Sequence, residues 1–207
     1  MRVLRARRGS GCGFLLMLLI GGALWVRMEL YPFLARQAPV PANILVIEGW
    51  LVDDVLLEAA GWAESNGVEK IYTTGGPIEL GGYLTPWQSY AEMTKARLEQ
   101  LGLGRKFEIV AVPAPKVRRG RTLESARALQ AATRLERGAF NLASEGPHTR
   151  RSWRAFREVF GPGVQVGSVA LTPTEYGADD WWTCSAGARS VLSETVAYVY
   201  DLLPGDN

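Results

Sequence analysis

The 207-residue sequence contains one histidine and two cysteines, and this scarcity excludes several kinds of site. A zinc site built from His and Cys would lack ligands, and an iron–sulfur cluster needs more thiolates. Cys12 and Cys184 lie near opposite ends of the chain, so we expect no structural disulfide between them. The sequence also lacks a G-x-G-x-x-G run and a P-loop. We therefore predict neither a metal nor a cofactor.

Net charge is also small, at +2, but the charge is unevenly distributed. Residues 1–36 carry six arginines and one glutamate, whereas the other 171 residues carry 17 basic and 20 acidic side chains. A nucleic-acid-binding domain usually presents a basic face. Because the body of this chain is mildly acidic, we expect no nucleic-acid partner.

One long apolar run stands near the N-terminus. Four arginines within residues 2–8 precede Gly9–Val26, which contains no charged residue. Eighteen helical residues span about 27 Å, which is just enough to cross the hydrocarbon core of a bilayer. Because the basic flank comes first, the positive-inside rule places the N-terminus in the cytoplasm and the body outside. We expect a retained, single-pass anchor in the inner (plasma) membrane.

Two other interpretations of this segment remain open. A cleaved signal peptide would also have a basic flank and a short apolar core, but no convincing A-x-A site follows, and cleavage at Gly21-Gly22-Ala23 would leave a stub of the hydrophobic region. A buried helix of a soluble fold is the second alternative, but the run shows no amphipathic pattern.

The rest of the chain alternates short apolar runs with helical patterns. We expect residues 1–36 to form the anchor and juxtamembrane segment, 37–42 a linker, and 43–207 one domain. The predicted strands are 43–47, 70–74, 107–112, 140–144 and 164–170, and the predicted helices are 53–65, 86–101, 122–136, 149–160 and 189–203. This alternation predicts an α/β fold, with a mostly parallel five-stranded sheet between two layers of helices.

Polar residues follow the predicted strands, where ligands bind in open parallel sheets. Glu48-Gly49 follows the first strand and Thr74-Gly75-Gly76 the second, where backbone N–H groups could approach an anion. A tight turn would need the same glycines. A basic run at 116–121, which could equally be a solvated loop, follows the third strand.

The only histidine, His148, follows the fourth strand. Arg151 comes one turn later, near the start of a helix, where a cation opposes the helix dipole. We therefore expect Arg151 to bind an anion, and its loss to weaken ligand binding far more than folding. Trp181-Trp182 could belong to the core, the membrane surface or a ligand site.

Four blocks in this order resemble the YdcF/SanA/ElyC family of bacterial proteins. The blocks are Val46–Gly49, Thr74–Gly76 with Ala91-Glu92-Met93, Arg121–Glu124 and His148–Arg151. The resemblance covers about residues 43–203. It implies a Rossmann-like domain and, for anchored members, a role in the cell envelope or peptidoglycan biogenesis. One soluble branch suggests S-adenosylmethionine binding.

Three functions remain open at this point. The first is an enzyme, a hydrolase or transferase acting on a small anionic or lipid-linked envelope precursor. The second is a non-catalytic module that binds a nucleotide-like ligand, and the third is a structural membrane protein. For the enzyme, the candidate catalytic residues are His148, Glu48 and Glu92. The candidate anion-binding residues are Gly49, Thr74, Gly75, Gly76, Arg121, Thr122, Glu124 and Arg151.

Overall fold

The computed structural model describes residues 9–203, in which five strands form one parallel sheet. The strands are β1 Ile44–Glu48, β2 Lys70–Gly75, β3 Glu108–Pro113, β4 Gly138–Glu145 and β5 Val164–Leu171. Their order across the sheet is β3-β2-β1-β4-β5, and every neighbouring pair is parallel. The predicted α/β class with a five-stranded parallel sheet is confirmed.

Helices cover both faces of this sheet. They are α1 Gly9–Leu34, α2 Asp53–Ser65, α3 Tyr90–Gln100, α4 Arg121–Thr133, α5 Thr149–Phe160 and α6 Ser185–Tyr200. Successive strand residues point to opposite faces. Leu45 and Ile47 accordingly pack in the core beneath α2 and α3, whereas Val46 packs in the core beneath α4 and α5. The result is a three-layer, Rossmann-like arrangement.

Two helix starts differ from the prediction because of local capping. Helix α3 begins at Tyr90 rather than 86, since the Ser89 hydroxyl accepts a hydrogen bond from the Glu92 N–H. Helix α6 begins at Ser185 rather than 189, and the Cys184 sulfur accepts from the Gly187 N–H. Helix α6 therefore begins one turn earlier than predicted, and it ends at Tyr200 rather than 203.

Helix α1 contains the segment Gly13–Leu34, which is long and apolar enough to cross a membrane. Its residues 14–26 are exposed, so the interpretation as a buried helix of a soluble fold is wrong. Its last turn is different, because Tyr31 and Leu34 pack against Trp181 of the body. The basic flank at residues 2–8 lies outside the described residues.

The expected linker at 37–42 is bonded to the sheet. Ala38 pairs with Ser168 through two backbone hydrogen bonds of 2.9 and 3.0 Å along the outer edge of β5. The Asn141 side chain bonds both the N–H and the carbonyl of Val40, each at 2.8 Å. The segment therefore covers an exposed strand edge and is not a free tether.

Candidate functional site

The candidate site lies where β1 and β4 meet at the centre of the sheet. The chain leaves β1 toward one edge of the sheet and leaves β4 toward the other, so a crevice opens at their carboxyl ends. A cavity of about 720 Å³ occupies this position, a size typical of ligand sites. Its lining includes Glu48, Thr74, Gly75, Gly76, Arg121, Thr122, His148 and Arg151. Residues from widely separated parts of the sequence thus share one cavity.

Glu48 is a buried carboxylate at the end of β1, and only 4% of the residue is exposed. The Ser152 hydroxyl lies 3.0 Å from both of its oxygens, and the Ser144 hydroxyl donates to Oε2. These hydroxyls offset the cost of burying a charge. Glu48 is therefore held in one orientation, and the residue lines the cavity.

His148 sits in the short turn between β4 and α5, between two carboxylates. Its Nδ1 lies 2.9 Å from Glu194 Oε1, and its Nε2 lies 3.7 Å from Glu48 Oε1. A guanidinium nitrogen of Arg151 also lies 3.0 Å from Nδ1. Nδ1 cannot both accept from Arg151 and donate to Glu194, and the charge-assisted bond to the carboxylate is the stronger. Nδ1 therefore carries a proton, which leaves Nε2 to exchange a proton with a group in the cavity.

Arg151 forms an ion pair with Glu194, which corrects the expectation of a free anion-binding arginine. Its Nε and Nη2 donate to the two Glu194 oxygens at 2.8 and 3.2 Å. Burial alone would raise the pKa of Glu194, but hydrogen bonds from His148 and Arg151 lower it to about 2. Burial works against the charged form of Arg151, yet its bonds to Glu194 raise its pKa. Arg151 thus helps to hold Glu194, and through it His148.

Donors that lack partners lie on the β2 side of the cavity, here called the anion end, whereas His148 lies on the β4 side, the acid–base end. Thr74 at the anion end is the register partner of Glu48 on the neighbouring strand. The Thr74 hydroxyl is buried and makes no hydrogen bond within the described part of the chain. Helix α4 begins next to it with Gly120, which provides no side-chain cap for the first N–H groups of the helix. An uncapped helix N-terminus attracts anions. Gly75 and Gly76 follow Thr74 directly and also line the cavity.

Basic side chains border this end. Lys116, Arg118, Arg119 and Arg121 line the cavity, and Arg121 contacts Glu79 at 3.2 Å. The Arg121 side chain is 75% exposed, so this contact contributes little to stability. The basic run that could have been a solvated loop is therefore part of the cavity wall.

Gly49 allows the backbone after β1 to lie close against the end of β2. Its N–H donates to the Thr74 carbonyl at 2.7 Å. A Cβ at this position would lie 2.6 Å from the Tyr90 carbonyl oxygen and 2.7 Å from that of Thr74. Only glycine fits this close approach of backbone segments. Gly49 therefore supports the cavity by packing.

Three of the predicted residues, Gly49, Glu92 and Glu124, lie outside the cavity lining. Glu92 accepts from the Gln88 and Ser89 N–H groups and so completes the cap of α3. Glu124 forms a salt bridge with Arg127 on the exposed side of α4. Both carboxylates are engaged in their own helices, and the structure gives neither a contact with His148.

Sequence reasoning missed Glu194 and Trp50. Glu194 is the only acidic residue in α6, and a single acid in a largely apolar helix was a signal that could have found it. Trp50 lines the cavity and lies edge-on to the His148 ring, with ring centres 5.1 Å apart. Its position next to Gly49 gave no motif to recognise. Glu194 and Trp50 together contact the His148 ring from two sides.

No family model matches the chain, and no curated protein matches it. The resemblance to YdcF/SanA/ElyC proteins stays a prediction. The function is therefore inferred from the geometry of the cavity.

Proposed function

We propose that this chain is a membrane-anchored, extracytoplasmic domain that acts on an anionic, phosphate-bearing intermediate of cell-envelope or peptidoglycan biogenesis. Helix α1 supports the anchor, because Gly13–Leu34 could cross a bilayer. The inner membrane, the cytoplasmic N-terminus and the envelope role rest on the sequence pattern and the family resemblance. Reporter fusions at the C-terminus test the orientation, and activity of a cytoplasm-only reporter would contradict it.

The observation that carries the enzymatic proposal is that two chemistries lie on either side of Glu48 in one cavity. His148 is held by Glu194 at 2.9 Å on the β4 side of Glu48, and the unpartnered Thr74 hydroxyl and the uncapped start of α4 are on the β2 side. A phosphate at the Thr74 end would accept from that hydroxyl and from the N-terminus of α4. His148 would then move a proton to or from the reacting oxygen, the role of a general acid or base. The reaction class is hydrolysis or group transfer at the phosphate.

Model phosphate esters test this proposal with the full chain in detergent. We expect p-nitrophenyl phosphate or its diester to be hydrolysed, and His148→Asn to reduce turnover by about 100-fold or more. Binding of inorganic phosphate should be unchanged in this variant. Leu57→Asn, at an exposed position on α2, is the control and should retain full turnover.

A non-catalytic module that binds a nucleotide or an S-adenosylmethionine-like ligand is the second candidate. Two observations favour it. Both Glu48 oxygens are already occupied by serine hydroxyls, and the Trp50 ring, 40% exposed, offers a surface on which a planar ring could stack. Phosphate binding without turnover of any ester, unaffected by His148→Asn, would support this function over the enzymatic one.

A further inference from the structure

The outer face of α6 carries an unusual apolar stripe. It consists of Leu192, Val196, Val199, Tyr200 and Leu203, each more than half exposed. Their spacing places them on one side of the helix and of the turn that follows it. The acidic residues of this stretch, Glu194 and Asp201, line the cavity on the other side. An outer helix face is normally polar, so this stripe requires a partner.

Helix α6 and the residues just before it contact the end of α1 at two places, and the spacing of these contacts indicates that the two helices are inclined to each other. Arg27 lies over the Trp182 ring at 3.8 Å, and Phe33 meets the Tyr198 ring at 5.4 Å. Between these contacts α1 rises about 9 Å, whereas α6 advances about 20 Å from its start at Ser185. If α1 crosses the bilayer upright, α6 lies closer to the membrane plane than to its normal.

The contacts with α1 also show where the bilayer surface would lie. The Trp181 indole N–H donates to the Arg27 carbonyl at 3.2 Å, and the run of α1 without charged residues ends immediately before Arg27. Trp, Tyr and Arg are typical of the membrane–water interface. The cavity lies on the inner face of α6, and the stripe on its outer face is exposed, so that face is free to meet lipid.

We propose that the α6 stripe rests on the bilayer that α1 crosses, so that α6 is an interfacial amphipathic helix. This inference rests on the proposed membrane anchoring. Helix α6 also carries Glu194, the residue that holds His148. The acid–base end of the cavity would then lie about one helix diameter, roughly 10 Å, above the acyl boundary.

Quenching by spin-labelled phospholipids tests the proposal with the full chain in nanodiscs. Single cysteines are introduced after Cys12→Ser and Cys184→Ser, and each is labelled with an environment-sensitive fluorophore. Val196→Cys reports on the stripe, with Leu192→Cys as a second position. Leu57→Cys, also about half exposed, is the matched control on α2. We expect lipid near the headgroups to quench the stripe probes several-fold more than the control.

A third probe, Leu18→Cys in the exposed part of α1, separates the two proposals. If Leu18 is quenched by deep labels while the stripe probes match Leu57, the stripe proposal is overturned and the anchor stands. If Leu18 is not quenched either, both are overturned. Crosslinking between stripe cysteines of two copies, without lipid quenching, would identify a second copy as the occupant and also overturn the proposal.

Discussion

The two ends of the cavity differ in how completely their polar groups are partnered. At the acid–base end, His148, Glu194 and Arg151 bond one another, and Glu48 is held by two serines. At the anion end, the Thr74 hydroxyl has no partner among the described residues. The polar groups of the acid–base end are bonded to one another, whereas donors at the anion end are left to bond a ligand.

Because of this difference, substitutions at the two ends should change different properties: folding stability at one end and ligand affinity at the other. Removing one member of a buried, bonded pair leaves the other unsatisfied and costs stability. Removing a donor that has no partner in the folded protein costs little stability, but it removes an interaction with the ligand. Substitutions at the acid–base end should therefore unfold the protein earlier, whereas substitutions at the anion end should weaken binding alone.

The largest effect is expected for Arg151→Ala. The substitution leaves Glu194, whose side chain is 16% exposed, without its ion-pair partner. We expect a loss of about 2–3 kcal/mol in unfolding free energy, somewhat less than for a fully buried pair. The measurement is the thermal midpoint of the full chain in detergent.

Arg118→Ala on the basic loop is the control and should leave the midpoint unchanged. In the double variant Arg151→Ala/Glu194→Ala, part of the loss should be recovered because no charge is left unpaired. A midpoint for Arg151→Ala equal to that of the wild type would contradict the structural role of this ion pair. It would restore the original expectation of a free anion-binding arginine.

The sequence was a good guide to the sheet because β1–β5 are short apolar runs bounded by glycine and proline. It also placed Thr74 and His148 at one edge, since the carboxyl ends of parallel strands meet. It could not reveal that Arg151 pairs with Glu194, 43 residues later, because that contact depends on how α6 packs. Glu92 was misjudged because the same residue type serves equally well as a helix cap.

The second prediction concerns pH and Glu194. Because its pKa falls from 4.5 to about 2 on folding, its stabilising effect is fully present above about pH 4.5 and is lost as the pH falls toward 2. The shift corresponds to roughly 3 kcal/mol at most. We expect the difference in thermal midpoint between wild type and Glu194→Gln to shrink over this range. A difference that stays constant between pH 5 and pH 2.5 would mean that Glu194 is not the titrating group.

The third prediction concerns Arg121 at the anion end. Arg121→Gln should lower the affinity for inorganic phosphate by less than about tenfold, because the side chain is largely exposed and screened. The effect should diminish in high salt, and the thermal midpoint should not change. Arg137→Gln, exposed beyond the end of α4, is the control for net charge. An equal loss in both variants would mean that the basic loop contributes only through net charge.

The smallest effect, and the sharpest comparison, is expected for Thr74→Val. The substitution keeps the shape of the side chain and removes a hydroxyl that has no partner within residues 9–203, so stability should be unchanged or slightly higher. Phosphate affinity should fall about 3- to 10-fold, the value of one lost hydrogen bond. Isothermal titration and the thermal midpoint measure the two effects in one preparation.

The neighbouring residue Thr73 provides the matched control. Its hydroxyl is also buried but donates to the Ala91 carbonyl at 2.8 Å. Thr73→Val should therefore lower the unfolding free energy by about 1 kcal/mol and leave phosphate affinity unchanged. If the two variants behave alike, the Thr74 hydroxyl has no special relation to the ligand, and the division of the cavity into a structural end and a binding end is wrong.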